Sequence, residues 1–162
     1  MAGLNFANEL ENLEYSYSTD VMTGGSDKKM YLYYQLISSL KRADSVDIIV
    51  SFLMESGVKM LIAELENALK RGAKIRILTG NYLALYLIKN KLKDRVDLRF
   101  YNEKGRSFHP KSYIFHYKSY SEIYIGSSNI SRSALTSGVE WNYRFSSQTD
   151  KNNYDKFYQT FE

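Results

Sequence analysis

The strongest constraint in this sequence is an alternation of hydrophobic period. Short runs rich in β-branched residues at 46–52, 74–78 and 96–100 are separated by stretches whose apolar residues recur at helical spacing. Met30, Tyr33, Tyr34, Ile37 and Leu40 mark a helix that starts near Asp27 and stops near Arg42. Val58, Leu61, Ile62, Leu65 and Leu69 mark a second, closed by Gly72, and a third is expected from about 82 to 93 after the turn Thr79-Gly80-Asn81. A strand that returns to its sheet through a helix runs parallel to its predecessor, and the helices then cover the faces of the sheet. The sequence therefore predicts an α/β fold, a three-layer α/β/α sandwich with a mixed, mostly parallel central sheet. In such sheets ligands collect beyond the carboxyl ends of the strands.

The second half departs from this alternation. The runs at 111–117 and 122–125 are joined only by a short polar link, so they are expected to pair as a hairpin, which is what makes the sheet mixed. Residues 140–145 read as a further strand. Tyr154, Phe157, Tyr158 and Phe161 mark a last helix that runs out at Glu162 without a cap, as in a fragment of a longer helicase or restriction protein. Residues 1–26 are polar, end in Thr23-Gly24-Gly25-Ser26, and are read as a lead-in segment to a single domain spanning 1–162.

Composition removes whole classes of chemistry. The chain has no cysteine and two histidines, His109 and His116, so thiolate zinc sites, disulfide frameworks and cysteine nucleophiles are excluded. No apolar run approaches the roughly 18 residues a membrane helix needs, and no signal peptide opens the chain, which points to a cytoplasmic protein without a membrane partner. A net charge of +4 permits an anionic partner such as nucleic acid without demanding one.

The chemistry-bearing residues cluster late in the chain. Side chains two apart on a strand share a face, so His109 and Lys111 can address one bound group together, a nucleophile beside a cation. Gly126 ends a strand, Ser127 and Asn129 offer short polar side chains, and Ser131 is placed to cap a short helix through Leu135. Glu140 is placed to hold a ring nitrogen of His109 and so set its tautomer. Lys104 and Arg106, on the stretch leading into His109, are the cations best placed to contact a substrate backbone. Ser128 reads as a loop hydroxyl, and Trp141 as a core residue, the alternative being that it lines the cleft with Asn142. His116 has the strand parity opposite to Lys111, which argues against a second catalytic histidine.

His109-x-Lys111, Gly126-Ser127-x-Asn129 and the trailing Glu140 together resemble the phospholipase D superfamily. The phrases Phe108-His109-Pro110-Lys111, Gly126-Ser127-Ser128-Asn129 and Gly138-Val139-Glu140-Trp141-Asn142, with Ile49-Val50-Ser51-Phe52 and Leu78-Thr79-Gly80 upstream, are similar to the phospholipase D-like domain at the amino end of bacterial DEAD/DEAH helicases and restriction-associated nucleases. The similarity spans roughly residues 26–145. It departs from the usual signature at His116, where the superfamily places an aspartate. That departure counts against a phospholipid-headgroup enzyme more than against phosphodiester chemistry.

The resemblance implies catalysis by His109, Lys111, Asn129 and Glu140. His109 would attack phosphorus to form a phosphohistidine, Lys111 and Asn129 would clamp the non-bridging oxygens, Ser127 would support the phosphate, and Glu140 would orient His109. Ser131, Lys104 and Arg106 complete the expected phosphate and substrate contacts. No metal or other cofactor is implied. The superfamily also needs a second histidine, and a chain with one such motif is expected to obtain it in a homodimer, the alternative being a second half-site elsewhere in a longer parent protein. The expected function is a metal-independent phosphodiesterase or nuclease acting on DNA beside a helicase domain in the same or a partner chain. The alternative is a phosphate- or nucleic-acid-binding module of a helicase, without catalysis.

Overall fold

The computed structural model describes residues 20–25, 27–80 and 84–162. In chain order its elements are β1 (Val21–Met22), α1 (Leu32–Leu40), β2 (Ser45–Val50), α2 (Glu55–Lys70), β3 (Lys74–Thr79), α3 (Leu85–Leu92) and β4 (Val96–Phe100). After these come β5 (Lys111–His116), β6 (Ser121–Gly126), α4 (Arg132–Thr136), β7 (Asn142–Ser146) and α5 (Lys151–Phe161). All the expected strands are present, displaced by a residue or two at their ends. Of the segments read above, residues 1–19, 26 and 81–83 lie outside the described residues. The strand β1, within the stretch read as a lead-in, was not foreseen. It pairs with β7 through Val21↔Tyr143 and Met22↔Asn142.

The strands form one seven-stranded sheet in the order β1-β7-β6-β5-β2-β3-β4. It is mixed, as expected, but its balance is not mostly parallel. Only β2–β3 and β3–β4 are parallel, whereas β2–β5, β5–β6, β6–β7 and β1–β7 are antiparallel. The physical reason lies after β4. No helix carries the chain back to the start of the sheet there; it passes over the ends of β3 and β2 and enters β5 from the same end, so β5 must run the other way.

The two faces are covered unequally. Leu32 and Leu36 of α1, Leu61 and Leu65 of α2, and Ile88 and Leu92 of α3 pack against Ile48, Ile75, Ile77, Tyr113 and Phe115. Full burial of an aliphatic side chain such as Leu61 or Ile77 contributes about 1.5–3 kcal/mol. The opposite face, with Ile49, Ile114, Ile123 and Phe145, is packed by Tyr154, Tyr158 and Phe161 of α5. A charge cluster pins that helix. Arg76 donates to Asp47 at 2.6 and 2.9 Å and to Glu162 at 2.7 Å, and its guanidinium lies 4.6 Å from the Phe161 ring centre. No helix among the described residues is long and apolar enough to cross a membrane.

Candidate active site

Strand register gathers the informative loops at one end of the sheet. Val50 pairs with both Thr79 and Lys111, Thr79 with Phe100, Ser112 with Ile125, and Gly126 with Asn142. The loops that carry Phe52, Lys104, His109, Asn129 and Glu140 therefore all leave from this end. It is also the carboxyl end of the parallel strands β2, β3 and β4.

Backbone hydrogen bonds stitch these loops together. Ser51 N–H donates to the Pro110 carbonyl at 3.1 Å, and Met54 N–H to the Ile130 carbonyl at 2.8 Å. Phe52 N–H donates to Asn129 Oδ1 at 3.1 Å. The buried Tyr113 hydroxyl donates to the Ser128 carbonyl at 2.9 Å, and Asn142 Nδ2 donates to Ser128 Oγ at 2.9 Å. Ser128 is thus fully buried and structural, in keeping with its reading as a non-ligand hydroxyl. Two glycines make the approach possible. A Cβ on Gly126 would lie 2.1 Å from the Trp141 carbonyl oxygen, and one on Gly57 would lie 2.5 Å from the Ile130 carbonyl carbon.

His109 is exposed at this end, and the Phe52 ring meets its imidazole edge-on at 6.4 Å between centroids. Lys111 Nζ donates to the His109 carbonyl at 2.8 Å, which folds the ammonium back toward the histidine. Because the oxygen of the Asn129 amide is held by Phe52, its Nδ2 hydrogens are the groups it can offer a ligand. An exposed imidazole, an ammonium and an amide donor carried to the same end of the sheet suit an anionic electrophile.

The remaining expected residues sit at the same end with other engagements. Ser127 Oγ accepts from Trp141 N–H at 3.0 Å and donates to the Glu140 carboxylate, while Ser127 N–H donates to the Trp141 carbonyl at 3.0 Å. Both its donors are thereby spent within the protein, so Ser127 has none left for a phosphate. Its place here is to position Glu140. That carboxylate takes its hydrogen bond from Ser127 rather than from His109, and burial together with the Glu140 charge pushes the Tyr113 phenol well above its ordinary range. Ser131 caps α4, its Oγ accepting from Ala134 N–H at 3.2 Å. Lys104 is exposed, and Arg106 is ion-paired with Glu103 at 3.3 Å.

His116 lies at the other end of β5, where Ser45 pairs with it, far from the loops just described. A carboxylate only accepts, so His116 Nε2 donates to Asp47 at 2.8 Å, and its Nδ1 meets Ser121 Oγ at 2.9 Å. Trp141 is not a core residue. Its neighbour Asn142 turns inward, and the indole is 72% exposed at the rim of the loop cluster. Ser51 and Phe52 stood in the sequence only as part of the phrase Ile49-Val50-Ser51-Phe52, and their roles in anchoring the site depend on long-range pairing.

The family model described as cardiolipin synthase, PLD-like domain, matches residues 34–162. The chain belongs to this phospholipase D-like family. NucT from Helicobacter pylori is similar in structure with a TM-score of 0.61 at 18% identity, over 86% of the phospholipase D-like chain and 92% of NucT. Nuc from Salmonella typhimurium, a phospholipase D family member, gives 0.54 at 19% identity over 68% and 72% of the two chains. Polyphosphate kinase from Porphyromonas gingivalis gives 0.62 at 13% identity, over 94% of this chain but 24% of the kinase. At these identities the likeness establishes the fold, and a kinase on the same fold means that the site must carry the function. No curated protein matches the sequence significantly.

Proposed function

We propose that this phospholipase D-like chain is a metal-independent phosphodiesterase that cleaves DNA through a phosphohistidine on His109. The observation that carries the reading is the gathering of His109, Lys111 and Asn129 at one end of the sheet, where the Lys111 ammonium bonds the His109 carbonyl and the Asn129 oxygen is taken by Phe52 N–H, so that its Nδ2 hydrogens are what it offers a ligand. The fold shared with Nuc, a phospholipase D family member, and with NucT supports a phosphodiester as substrate.

In the proposed reaction a ring nitrogen of His109 attacks phosphorus, the bond to the leaving oxygen breaks, and that oxygen takes up a proton. Water then attacks the P–N bond, losing its proton to a base and returning the imidazole. Lys111 and Asn129 stabilise charge on the non-bridging oxygens in both steps. The proton donor and base must stand on the far side of phosphorus from His109. His116, at the other end of the sheet, does not meet that demand. A twofold homodimer that sets His109 of each copy across one phosphate does. The phrases around His109, Asn129 and Glu140 support a helicase or restriction system as the setting.

The deciding experiment is hydrolysis of bis-p-nitrophenyl phosphate and of DNA in EDTA, with light scattering to read the mass. Turnover in EDTA by a dimer, lost in His109→Ala, is expected. Mixing His109→Ala with wild type should lower activity more steeply than dilution if sites are shared between copies. Activity that requires added divalent metal overturns the mechanism, and phosphate binding without turnover would mark the chain as a binding module.

A further inference from the structure

We infer that Trp141 is a stacking platform for an unpaired nucleobase beside the scissile phosphate, and that the substrate of this site is therefore single-stranded nucleic acid. The inference rests on the phosphodiesterase reading for the position of the phosphate, and adds the class of group attached to it.

Three observations carry it. First, the indole is 72% exposed although tryptophan is the costliest side chain to leave in water, and Tyr143, two residues on, is 49% exposed. Exposed aromatic surface of this kind marks an interaction site. Second, the mount is rigid. Trp141 N–H and C=O are both hydrogen-bonded to Ser127 at 3.0 Å, at the head of the segment that carries Asn129, so the backbone that bears the ring is fixed to the loop of the proposed phosphate cradle. Third, the alternation of exposure puts Trp141, the residue just before β7, on the same outward side as Tyr143 and opposite the inward-facing Asn142.

The surroundings select the occupant. The exposed Lys104 stands on a loop at the same end of a chain with net charge +4, which favours a polyanion with a flat substituent. In a duplex the base faces are already stacked on each other, so only a single strand can turn a base onto the indole.

Trp141 is the chain's single tryptophan, so intrinsic fluorescence reports it directly. The probe is a short oligodeoxythymidylate titrated in EDTA into the His109→Ala chain, which keeps the strand intact. Saturable quenching is expected with the single strand, and none with a duplex of the same length or with inorganic phosphate. Trp141→Ala should weaken oligonucleotide binding, read by anisotropy, about 5- to 150-fold, with most of it restored in Trp141→Phe. Circular dichroism confirms that the variants fold. Equal quenching by duplex, or undiminished affinity in Trp141→Ala, overturns the inference. So does an emission shift that follows protein concentration and ignores oligonucleotide, because a second copy then covers the indole. Wild-type turnover of bis-p-nitrophenyl phosphate is scored separately: its absence alongside quenching sinks the phosphodiesterase reading and leaves the platform standing, and its presence without quenching does the reverse.

Discussion

Asn129 Oδ1 accepts the backbone N–H of Phe52 at 3.1 Å, across 77 residues of sequence. This bond orients the amide: a backbone donor requires the oxygen, so the NH2 group is turned to the ligand side. Asn129→Asp keeps the acceptor for Phe52 but replaces the donors with a negative charge. We expect the variant to fold and to lose phosphate affinity by at least about tenfold, since a hydrogen bond to a charged group contributes about 1.5–3 kcal/mol. Calorimetric titration with inorganic phosphate checks it; unchanged affinity would show that the amide does not face the anion.

The two histidines sit at opposite ends of one strand region and should separate cleanly on mutation. His109→Ala should abolish hydrolysis of bis-p-nitrophenyl phosphate and leave the melting temperature nearly unchanged, because its side chain is exposed. His116→Ala should retain hydrolysis and lose about 1–3 kcal/mol of stability, because Asp47 and Ser121 lose their hydrogen-bond partner. Equal loss of activity in the two variants would contradict the assignment.

Gly126 tests the stitching of the site. Alanine there would place a methyl 2.1 Å from the Trp141 carbonyl oxygen and 2.5 Å from Asn142 Oδ1, so β6 and β7 must part. We expect a cost of about 1–3 kcal/mol or more, a fall in melting temperature of about 2–4 °C per kcal/mol, and weakened phosphate binding. A variant as stable as wild type would mean that the strands approach less closely than described.

Asp47 sets the response to acid. Burial pushes its carboxyl upward, but hydrogen bonds from His116 and Arg76 outweigh this and hold it below the ordinary carboxylate value of 3.8. A group whose folded pKa is depressed adds stability that is present above the unfolded pKa and lost as pH falls through the folded one. Wild-type stability should therefore drop as pH falls below about 4. Asp47→Asn should be about 1–3 kcal/mol less stable at neutral pH, because Arg76 and His116 lose the negative charge and one of the two acceptor oxygens, and should lose less on acidification. Urea melts across that range decide it; parallel pH curves for the two proteins would exclude the cluster as the source.

Local pattern was enough to announce the helices and strands, the hairpin of β5 and β6, and the cap at Ser131. These features depend on period, turn chemistry and neighbours along the chain, which one sequence displays. The antiparallel majority of the sheet was not legible, because it follows from where the chain crosses after β4. Nor was the engagement of Ser127: whether a hydroxyl is free for a ligand depends on which group competes for its proton, and here Glu140 and Trp141, from another loop, take its bonding capacity. The same holds for His116, whose partner Asp47 lies 69 residues away and meets it only through strand register. Trp141 makes the point most plainly. Apolar character argued for burial, and the fold instead gives the inward position to Asn142, whose amide satisfies the buried hydroxyl of Ser128. The alternation of a strand then turns the indole outward.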